Sequence, residues 1–449
     1  MNTLIDQIAR ILPTRIEGRI LQTTGVTVEV ADFPVPVGAQ VEIDSYLGGT
    51  LPAEVIGFTD QATLLFPLDT MTGVRRGDRV RLKYSEGWLA VGPQLQGRIV
   101  NVDGLPIDAG PPLAAFDRIP RNRAAPIATS RPTIEAPFFT GIRAIDGLLT
   151  CGEGQRMGIF SGAGVGKSTI MGMLARQSSA DVNVIALIGE RGREVNEFVQ
   201  RELGSEGLAK SVIIVATSDQ PAPIRLRAAS TATAIAEYFR DQKKNVLLLM
   251  DSITKIATAQ REIGIAAGEP PTTRGCPPSV FALLPKLIER AGRSPEGNIT
   301  AFYNVLVEGD DPQEPISDAL RGLLDGHISL SRDLAARGHY PAIDILQSVS
   351  RLSFSLMADD QKAAATKFRS LQATYREYAE LVSIGAYRSG TNPLLDEAIQ
   401  LRESMDQYLR QPSQTLHPFH SARDELLSLL PPNCSSVPSK PIAATDGWK

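Results

Sequence analysis

The stretch Ser161-Gly-Ala-Gly-Val-Gly-Lys-Ser-Thr169 decides how the rest of this 449-residue chain is interpreted. It follows a short apolar run at residues 157–160 and precedes a segment with helical spacing. Closely spaced glycines let successive backbone N–H groups point inward at a polyphosphate, and the following helix adds its positive end. The predicted phosphate-binding residues are Gly162, Ala163, Gly164, Val165, Gly166, Lys167, Ser168 and Thr169.

Two side chains of this loop are predicted to contact the nucleotide and its metal ion directly. Lys167 is placed to contact the β- and γ-phosphates of a nucleotide, and the Ser168 hydroxyl to coordinate Mg²⁺. The strict pattern has glycine where Ser161 stands, but the cradle is formed by the N–H groups that follow it. The sequence therefore predicts a site for ATP and Mg²⁺.

The segment from about 140 to 355 alternates apolar runs with helical patterns. Strands are predicted at residues 157–160, 182–188, 212–216, 246–250 and 299–307, and helices at residues 224–240 and 280–290. Strand and helix in alternation indicate a largely parallel sheet that is covered on both faces. The predicted fold class is therefore α/β, with a phosphate-binding parallel-sheet core.

Two carboxylates follow strands of this sheet directly. Glu190 comes after the run Val182-Asn-Val-Ile-Ala-Leu-Ile188 and Gly189, and Asp251 comes after Asn245-Val-Leu-Leu-Leu-Met250. Ligands bind at the carboxyl ends of parallel strands. Glu190 is thus a candidate to orient the attacking water, and Asp251 to hold the hydrated metal. The alternatives are an ion pair of Glu190 with a neighbouring arginine and a helix-capping role for Asp251.

The transition state of γ-phosphoryl transfer also needs a cation, because charge spreads over its equatorial oxygens. Many arginines are available, and the residues alone do not choose between them. The candidates are Arg191, Arg274, Arg321, Arg332 and Arg351.

The flanking regions differ in composition from this core. Residues 15–95 contain short β-branched runs between Gly and Pro turns, which favours a small barrel or sandwich. A proline-rich stretch at 105–137 predicts an extended connection, and the chain after 358 reads as helical. We therefore divide the chain into an N-terminal helix and β-barrel domain (1–95), a phosphate-binding domain (96–357), a helical domain (358–430) and a flexible tail (431–449).

Composition excludes several classes of protein. Lys and Arg number 46 against 50 Asp and Glu, a net charge of −4, which gives no argument for nucleic acid as a partner. Cys151, Cys276 and Cys434 lack metal-ligand spacing, which favours a reducing compartment without disulfides. No apolar run approaches the roughly 20 residues of a bilayer helix. Leu4, Ile5, Ile8 and Ile11 predict a short helix, packed on its own domain or docking a partner.

Several long motifs together resemble one family. Gly162–Ser168 and the stretches Gly189-Glu-Arg-Gly-Arg-Glu194 and Pro341-Ala-Ile-Asp-Ile-Leu-Gln-Ser-Val-Ser350 are similar to the α/β-subunit superfamily of rotary ATPases. Further stretches resemble the type III protein-export ATPases of flagella and injectisomes within it. They are Ala216-Thr-Ser-Asp-Gln-Pro-Ala222, Thr231–Arg240, Ala259–Gly264, Pro277–Phe281, Gly309-Asp-Asp311 and Leu324–Ile328.

The resemblance implies a RecA-like core, ATP hydrolysis and a homohexameric ring with sites at subunit interfaces. By position, Glu190 looks like the residue that activates water, and Arg191 like a γ-phosphate contact. Arg351 looks like the arginine finger offered to the neighbouring subunit, with a local helix-start ion pair as its alternative. Tyr340 looks like the aromatic that stacks on adenine, with a core or interface tyrosine as its alternative.

The resemblance also implies partners and a place in the cell. The loop at residues 264–279 resembles the segment that faces a central coiled-coil stalk protein, and the N-terminal helix the part that binds a peripheral regulator dimer. An export-gate membrane complex and chaperone–substrate complexes are the other expected partners. The protein is expected in the cytoplasm, at the inner face of the membrane through the export apparatus; whether the system is flagellar or an injectisome is left open.

The chain departs from the family pattern at Cys276 and Ser230, where aromatic residues are expected. Three other functions remain as alternatives: the catalytic subunit of a proton-translocating ATP synthase, a ring subunit without turnover, and a hexameric RNA translocase. Glu190 and Arg351 on one chain favour a homo-oligomeric enzyme over the first two. The aromatic residues of the N-terminal region come without a basic cluster, which disfavours the third.

Overall fold

The computed structural model describes residues 16–113, 117–307, 314–415 and 417–431. Three features predicted above lie outside these residues: the helix at residues 4–11, the Gly309-Asp-Asp311 motif and the tail beyond residue 431. Within the described ranges, no helix has the length and apolar character needed to cross a bilayer.

The N-terminal strands close into a six-stranded barrel, which confirms the first of the two predicted β architectures. Its strand order is β1-β2-β5-β4-β3-β6. Alternate residues such as Val28, Val30, Val41 and Ile43 point inward and are buried, as period-two patterning requires. The strands are β1 (Glu17–Thr24), β2 (Thr27–Ala31), β3 (Gln40–Asp44), β4 (Thr50–Phe58), β5 (Thr63–Pro67) and β6 (Arg79–Tyr84).

The connection from the barrel to the core contains only short strands. One of them, β8, pairs with the edge of the central sheet, and β7 pairs with β9. The connection is therefore attached to the core, although it is mostly irregular, as its prolines predict. The strands are β7 (Trp88–Val91), β8 (Ile99–Val100), β9 (Asp117–Pro120), β10 (Pro137–Phe138) and β11 (Cys151–Gly152).

The core is a nine-stranded sheet whose main path runs β19-β18-β12-β17-β15-β13-β14-β8. From β8 to β18 the neighbours on this path pair in parallel, whereas β19 pairs antiparallel with β18. The predicted α/β parallel-sheet core is thus confirmed. The strands are β12 (Arg156–Ser161), β13 (Val182–Glu190), β14 (Ser211–Thr217), β15 (Asn245–Asp251), β16 (Gly292–Arg293), β17 (Asn298–Leu306), β18 (Gly326–Leu330) and β19 (Ile343–Ser350).

Helices cover both faces of this sheet, so that the strands are buried on each side. A π-helical turn, Phe198–Leu203, separates α3 from α4. The helices are α1 (Arg143–Leu148), α2 (Lys167–Gln177), α3 (Gly192–Glu197), α4 (Gly204–Ala209), α5 (Ala222–Asp241), α6 (Ile253–Ala266), α7 (Pro278–Ile288), α8 (Pro315–Leu323), α9 (Arg332–Ala336) and α10 (Ser353–Leu356).

Three C-terminal helices pack against α1 of the core. They are α11 (Asp359–Ser383), α12 (Pro393–Leu409) and α13 (Phe419–Leu429). Phe368 and Tyr408 are buried at this contact, with ring centroids 5.9 Å apart. A Cβ atom on Gly147 would lie only 1.9 Å from the Tyr408 hydroxyl, so the close approach requires glycine.

A charged cluster joins the barrel to the core. Arg227 of α5 forms an ion pair with Glu54 of β4 and approaches Asp103 at 3.5 Å. Asp103 also accepts a hydrogen bond from Arg121 at 3.0 Å. Burial raises the pKa of Glu54, and the guanidinium of Arg227 opposes that rise. The cluster therefore depends on Arg227 to keep the Glu54 carboxylate charged.

Replacing Arg227 with alanine is expected to lower the free energy of unfolding by about 3 kcal/mol, because it leaves a largely buried carboxylate without its cation. The matched control is Arg225→Ala on the same helix. Its partner, Glu262, is 45% exposed, and such surface pairs contribute about 1 kcal/mol or less. Urea unfolding of both variants measures the difference, and equal losses would contradict a stabilising role for the cluster.

Candidate active site

The predicted phosphate loop lies between the end of β12 and the start of α2. Gly164 and Gly166 have φ values of +76° and +93°, which side chains rarely adopt. Val165 is 2% exposed and anchors the loop in the core, whereas Ala163 and Gly164 are exposed. The backbone N–H groups of the loop and the first turn of α2 thus form one cradle at the carboxyl edge of the sheet.

Lys167 brings the two candidate carboxylates together. Its Nζ lies 2.6 Å from Asp251 Oδ1 and 3.7 Å from Glu190 Oε1. Burial alone would lower the pKa of Lys167, but the two carboxylates outweigh it and raise that pKa. The ends of β13 and β15 and the start of α2 therefore converge on one charged centre.

Glu190 is aimed at this centre by an irregularity in β13. The register with β14 shifts between Ile188 and Glu190, and Gly189 at the bulge has φ +69°. Bulges beside active sites commonly redirect a side chain. Burial, followed by the charge of Asp251, raises the pKa of Glu190 to about 7. The alternative, an ion pair of Glu190 with Arg191 or Arg193, is not observed within the described part of the chain, where those arginines pair with Glu194 and Glu197 instead.

Asp251 ends β15 and is 4% exposed. It does not cap the following helix: Ser252 does so, with its hydroxyl accepting a hydrogen bond from the Lys255 N–H. The Asp251 side chain is directed instead at Lys167. Ser168 is exposed at the first turn of α2. Both residues offer oxygen atoms, the ligands that Mg²⁺ prefers.

Sequence reasoning missed Lys255, one turn into α6. Its Nζ donates a hydrogen bond to the Gly189 carbonyl at 3.2 Å, and its charge opposes the rise in the pKa of Glu190. The sequence signal that could have identified Lys255 is its position four residues after Asp251, within the first turn of the helix that follows the strand. Lys255 therefore supports the bulge that carries Glu190.

Two residues from distant parts of the sequence lie against the loop. A Cβ atom placed on Gly166 would be 3.6 Å from the Tyr340 ring, and Tyr340 is 46% exposed. A Cβ atom on Gly162 would lie 2.5 Å from Arg332 Nη2, so the guanidinium covers that end of the loop. Tyr340 therefore lies beside the phosphate cradle with part of its ring available.

Other predicted residues point elsewhere. The Thr169 hydroxyl donates a hydrogen bond to Glu202 at 3.2 Å, which leaves only its backbone N–H for a phosphate. The Arg191 side chain is 78% exposed and lies 3.8 Å from Glu194, at the edge of the charged centre. The structure therefore does not bring Arg191 into the cluster of Lys167 and its carboxylates.

Arg351 lies at the opposite end of the sheet from the loop of its own chain. It follows Ser350, which is paired with Gly326, and Gly326 is paired with Met157 at the start of β12. The loop begins five residues further along β12, roughly 16 Å away at about 3.3 Å per residue. The Arg351 side chain is exposed, and its Nη2 donates to the Arg321 carbonyl at 3.2 Å.

The two departures from the family pattern lie on the same side of the core. Cys276 is 5% exposed and borders a cavity of about 400 Å³. The cavity is lined by Thr254, Thr258, Arg261, Arg274, Cys276, Glu314, Pro315 and Ile316. Ser230 is half-buried on α5. The small side chain at residue 276 therefore stands next to open space.

Replacing Gly166 with alanine is expected to weaken ATP binding about tenfold, because a left-handed backbone costs a non-glycine residue about 1–2 kcal/mol. The control is Gly322→Ala, in α8, where an added Cβ meets no atom within 4 Å and φ is not positive. Titration with a fluorescent ATP analogue compares the two variants. Unchanged affinity in Gly166→Ala would contradict the role assigned to the loop.

Two protein families match consecutive parts of this chain. Residues 141–350 match the nucleotide-binding domain of the ATP synthase alpha/beta family. Residues 357–428 match the C-terminal domain of the type III secretion ATPase EscN. The two matches correspond to the core sheet and to the C-terminal helices.

Curated relatives match over nearly the whole chain. A flagellum-specific ATP synthase of Bacillus subtilis is 47% identical over 397 residues, covering 88% of this chain and 90% of the relative. A type 3 secretion system ATPase of Xanthomonas euvesicatoria is 47% identical over 428 residues, covering 95% and 97%.

Solved structures show the same fold. The assembled ATPase EscN of enteropathogenic E. coli superposes with a TM-score of 0.87 at 42% identity, covering 92% of this chain and 99% of EscN. EscN in complex with its central stalk EscO superposes with a TM-score of 0.84 at the same identity and coverage.

Proposed function

The chain belongs to the type III protein-export ATPases of the ATP synthase alpha/beta family, and on that basis we propose that it hydrolyses ATP in a homohexameric ring whose sites lie between subunits. It is an export ATPase and not a proton-translocating synthase. The observation that carries the proposal is the position of Arg351, which is exposed and far from the phosphate loop of its own chain.

The phosphate loop binds the nucleotide. Its N–H groups and the positive end of α2 surround the β- and γ-phosphates, and Lys167 contacts them with its ammonium group. Burial opposes the charge of this lysine, but Asp251 and Glu190 outweigh it and raise the pKa of Lys167, so the ammonium group stays charged. Tyr340 stacks on the adenine ring, since it is half-exposed beside Gly166.

Glu190 orients the attacking water. Its carboxylate lies 3.7 Å from the ammonium group of Lys167 in the phosphate loop, and in the proposed mechanism it accepts a hydrogen bond from the water that attacks the γ-phosphate. Lys255 and the Gly189 bulge hold the carboxylate in this direction. Arg191, at the exposed edge, reaches the γ-phosphate only by leaving Glu194.

The residues present fit a magnesium ion. Ser168 and Asp251 are the protein ligands we assign to it, Asp251 through water molecules, as Mg²⁺ is usually held by few protein oxygens together with substrate phosphates. When bound, Mg²⁺ neutralises charge on the β- and γ-phosphates. Asp251 and Ser168 would hold the ion at the phosphate loop.

Arg351 completes the site of the neighbouring subunit. A guanidinium that contacts the transferring phosphoryl group across an interface stabilises the charge of the transition state, by about 10³–10⁵ in rate. Because the finger comes from another chain, an isolated subunit lacks one part of the machinery. The ring is therefore a condition for turnover.

The export role implies further partners. We assign the loop at residues 264–279 to a coiled-coil stalk protein in the channel, by analogy with the stalk complex of EscN. A regulator dimer at the N-terminus, an export gate at the inner face of the membrane and chaperone–substrate complexes complete the proposed assembly. ATP turnover releases substrates from chaperones and unfolds them for export.

The dependence of turnover on protein concentration tests the ring. With ATP and Mg²⁺, the rate per subunit is expected to rise with concentration in step with the fraction of hexamer measured by mass photometry. Chelation of Mg²⁺ abolishes the rate. A monomeric fraction with full activity per subunit would exclude a shared site.

A further inference from the structure

The surface around Arg351 carries apolar side chains that the proposed chemistry does not use. Val349, two residues before Arg351, is 46% exposed, and Phe354, three residues after it, is 56% exposed. Between and beside them, Ser348, Ser350 and Ser353 are buried. The backbone here is therefore anchored in the core while both apolar side chains project outward.

The same surface is positively charged. Arg321 lies near Arg351, whose Nη2 donates to the Arg321 carbonyl, and its guanidinium is 4.8 Å from the centre of the Phe160 ring. The ring of His327 lies close by, and burial, together with the charges of these two arginines, lowers its pKa. Two guanidinium groups and two exposed apolar side chains therefore share one patch, which we call the finger patch: Arg321, Val349, Arg351 and Phe354.

A second copy of this chain fits the finger patch. Measured along the strand direction, Arg351 lies roughly 16 Å from the phosphate loop of its own chain, and this position suits a nucleotide that is held by another subunit. ATP phosphates supply the negative charge that matches the two arginines. Val349 and Phe354 flank Arg351 in the sequence. If Arg351 reaches the nucleotide of a neighbouring subunit, these two apolar side chains lie at the same interface.

We propose that Phe354, with Val349, is an apolar anchor of the subunit interface, whose burial against the neighbour stabilises the assembled ring on both sides of Arg351. This inference rests on the proposed function and adds to it a residue that acts in assembly of the ring. About half of the Phe354 side chain is exposed in the single chain and can be buried by a neighbouring subunit. In a ring, the same contact is repeated at every interface. The burial stabilises the ring, while the chemistry remains with Arg351 and Glu190.

The test is Phe354→Ser, assayed for turnover against protein concentration. The concentration for half-maximal activity is expected to rise about fivefold or more, since burial of the aromatic ring is lost. The maximal rate per subunit at high concentration stays at the wild-type value. Phe354→Leu, which keeps an apolar side chain, is expected to show only a small part of this rise. The control is Ile384→Ser, directly after α11. Ile384 is 74% exposed and lies outside the finger patch, so this variant also loses an exposed apolar side chain but should leave the interface intact.

The outcomes separate this inference from the function on which it rests. An unchanged concentration dependence in Phe354→Ser overturns the anchor, as does a fall in the maximal rate at full assembly. A similar shift in Ile384→Ser also overturns it, because the effect would then follow from any lost apolar side chain. Failure of the proposed function looks different: the wild type itself would then show no dependence on concentration. ATP-analogue binding by each dilute variant verifies that it is folded.

Discussion

Replacing Glu190 with glutamine is expected to leave ATP binding intact and to lower turnover by about two orders of magnitude or more. Glutamine keeps the size and position of the side chain but is a far weaker acceptor for the proton of the attacking water. The phosphate contacts of Lys167 and the loop do not involve this carboxylate. Turnover and analogue affinity, measured on the same preparation, separate the two effects.

The control for this prediction is Glu197→Gln. Glu197 lies seven residues further along the chain and pairs with Arg193 at 3.5 Å, where both side chains are exposed. The same substitution there is expected to change turnover by less than about twofold, because surface ion pairs contribute little. Near-normal turnover in Glu190→Gln would remove this residue from the mechanism.

Replacing Arg351 with alanine is expected to abolish turnover at every protein concentration, with a loss of about 10³-fold or more. The alanine variant still assembles, because the apolar anchors remain. Its sites contain Glu190 and the phosphate loop but receive no guanidinium from the neighbour. Turnover at saturating protein and ATP is the measurement, and activity that recovers at high concentration would show that Arg351 acts only in assembly.

Mixing the two inactive variants tests whether the finger acts between subunits. A Glu190→Gln subunit supplies an intact finger, and an Arg351→Ala subunit supplies an intact Glu190. In rings assembled at random from equal amounts, about a quarter of the interfaces combine both intact groups. Activity is therefore expected to return in the mixture, up to about that fraction of the wild-type rate. If the mixture stays inactive, Glu190 and Arg351 must act in the same site of the same chain.

The double variant is the matched control for this mixture. A chain with both Glu190→Gln and Arg351→Ala offers neither group, so mixing it with either single variant restores nothing. Recovery in those mixtures would show that ring assembly alone raises the rate. All of these chains assemble through the same surface. The mixtures therefore differ only in which of the two residues, Glu190 or Arg351, each chain lacks.

The motifs alone were enough for the family and the core fold, because their chemistry is local. A phosphate loop is nine consecutive residues between a strand and a helix, and Glu190 and Asp251 are recognisable by coming directly after buried strands. The predicted strands agree with the observed ones to within two residues at each end. The roles of these residues stay predictions, but their convergence on Lys167 agrees with them.

The residues alone did not choose among the five arginines; the family resemblance favoured Arg351, and the structure adds where each of them lies. Arg332 covers its own phosphate loop, Arg321 stacks on Phe160, and Arg274 borders the cavity at Cys276. Arg191 extends into solvent. Only strand order and register show that Arg351 lies at the far end of the sheet, and these depend on pairings between residues that are far apart in the sequence.

What the sequence determined by itself is therefore the chemistry at each strand end, since that requires only neighbouring residues. The tertiary structure decided which of those groups meet. The bulge at Gly189 turns Glu190 toward Lys167, and the ring of Tyr340 reaches a loop more than 170 positions earlier in the chain. The antiparallel pairing of β19 carries Arg351 away from its own nucleotide site. The positions of Glu190, Tyr340 and Arg351 are set by the packing of segments that are far apart in the sequence, so a short stretch of sequence does not determine them.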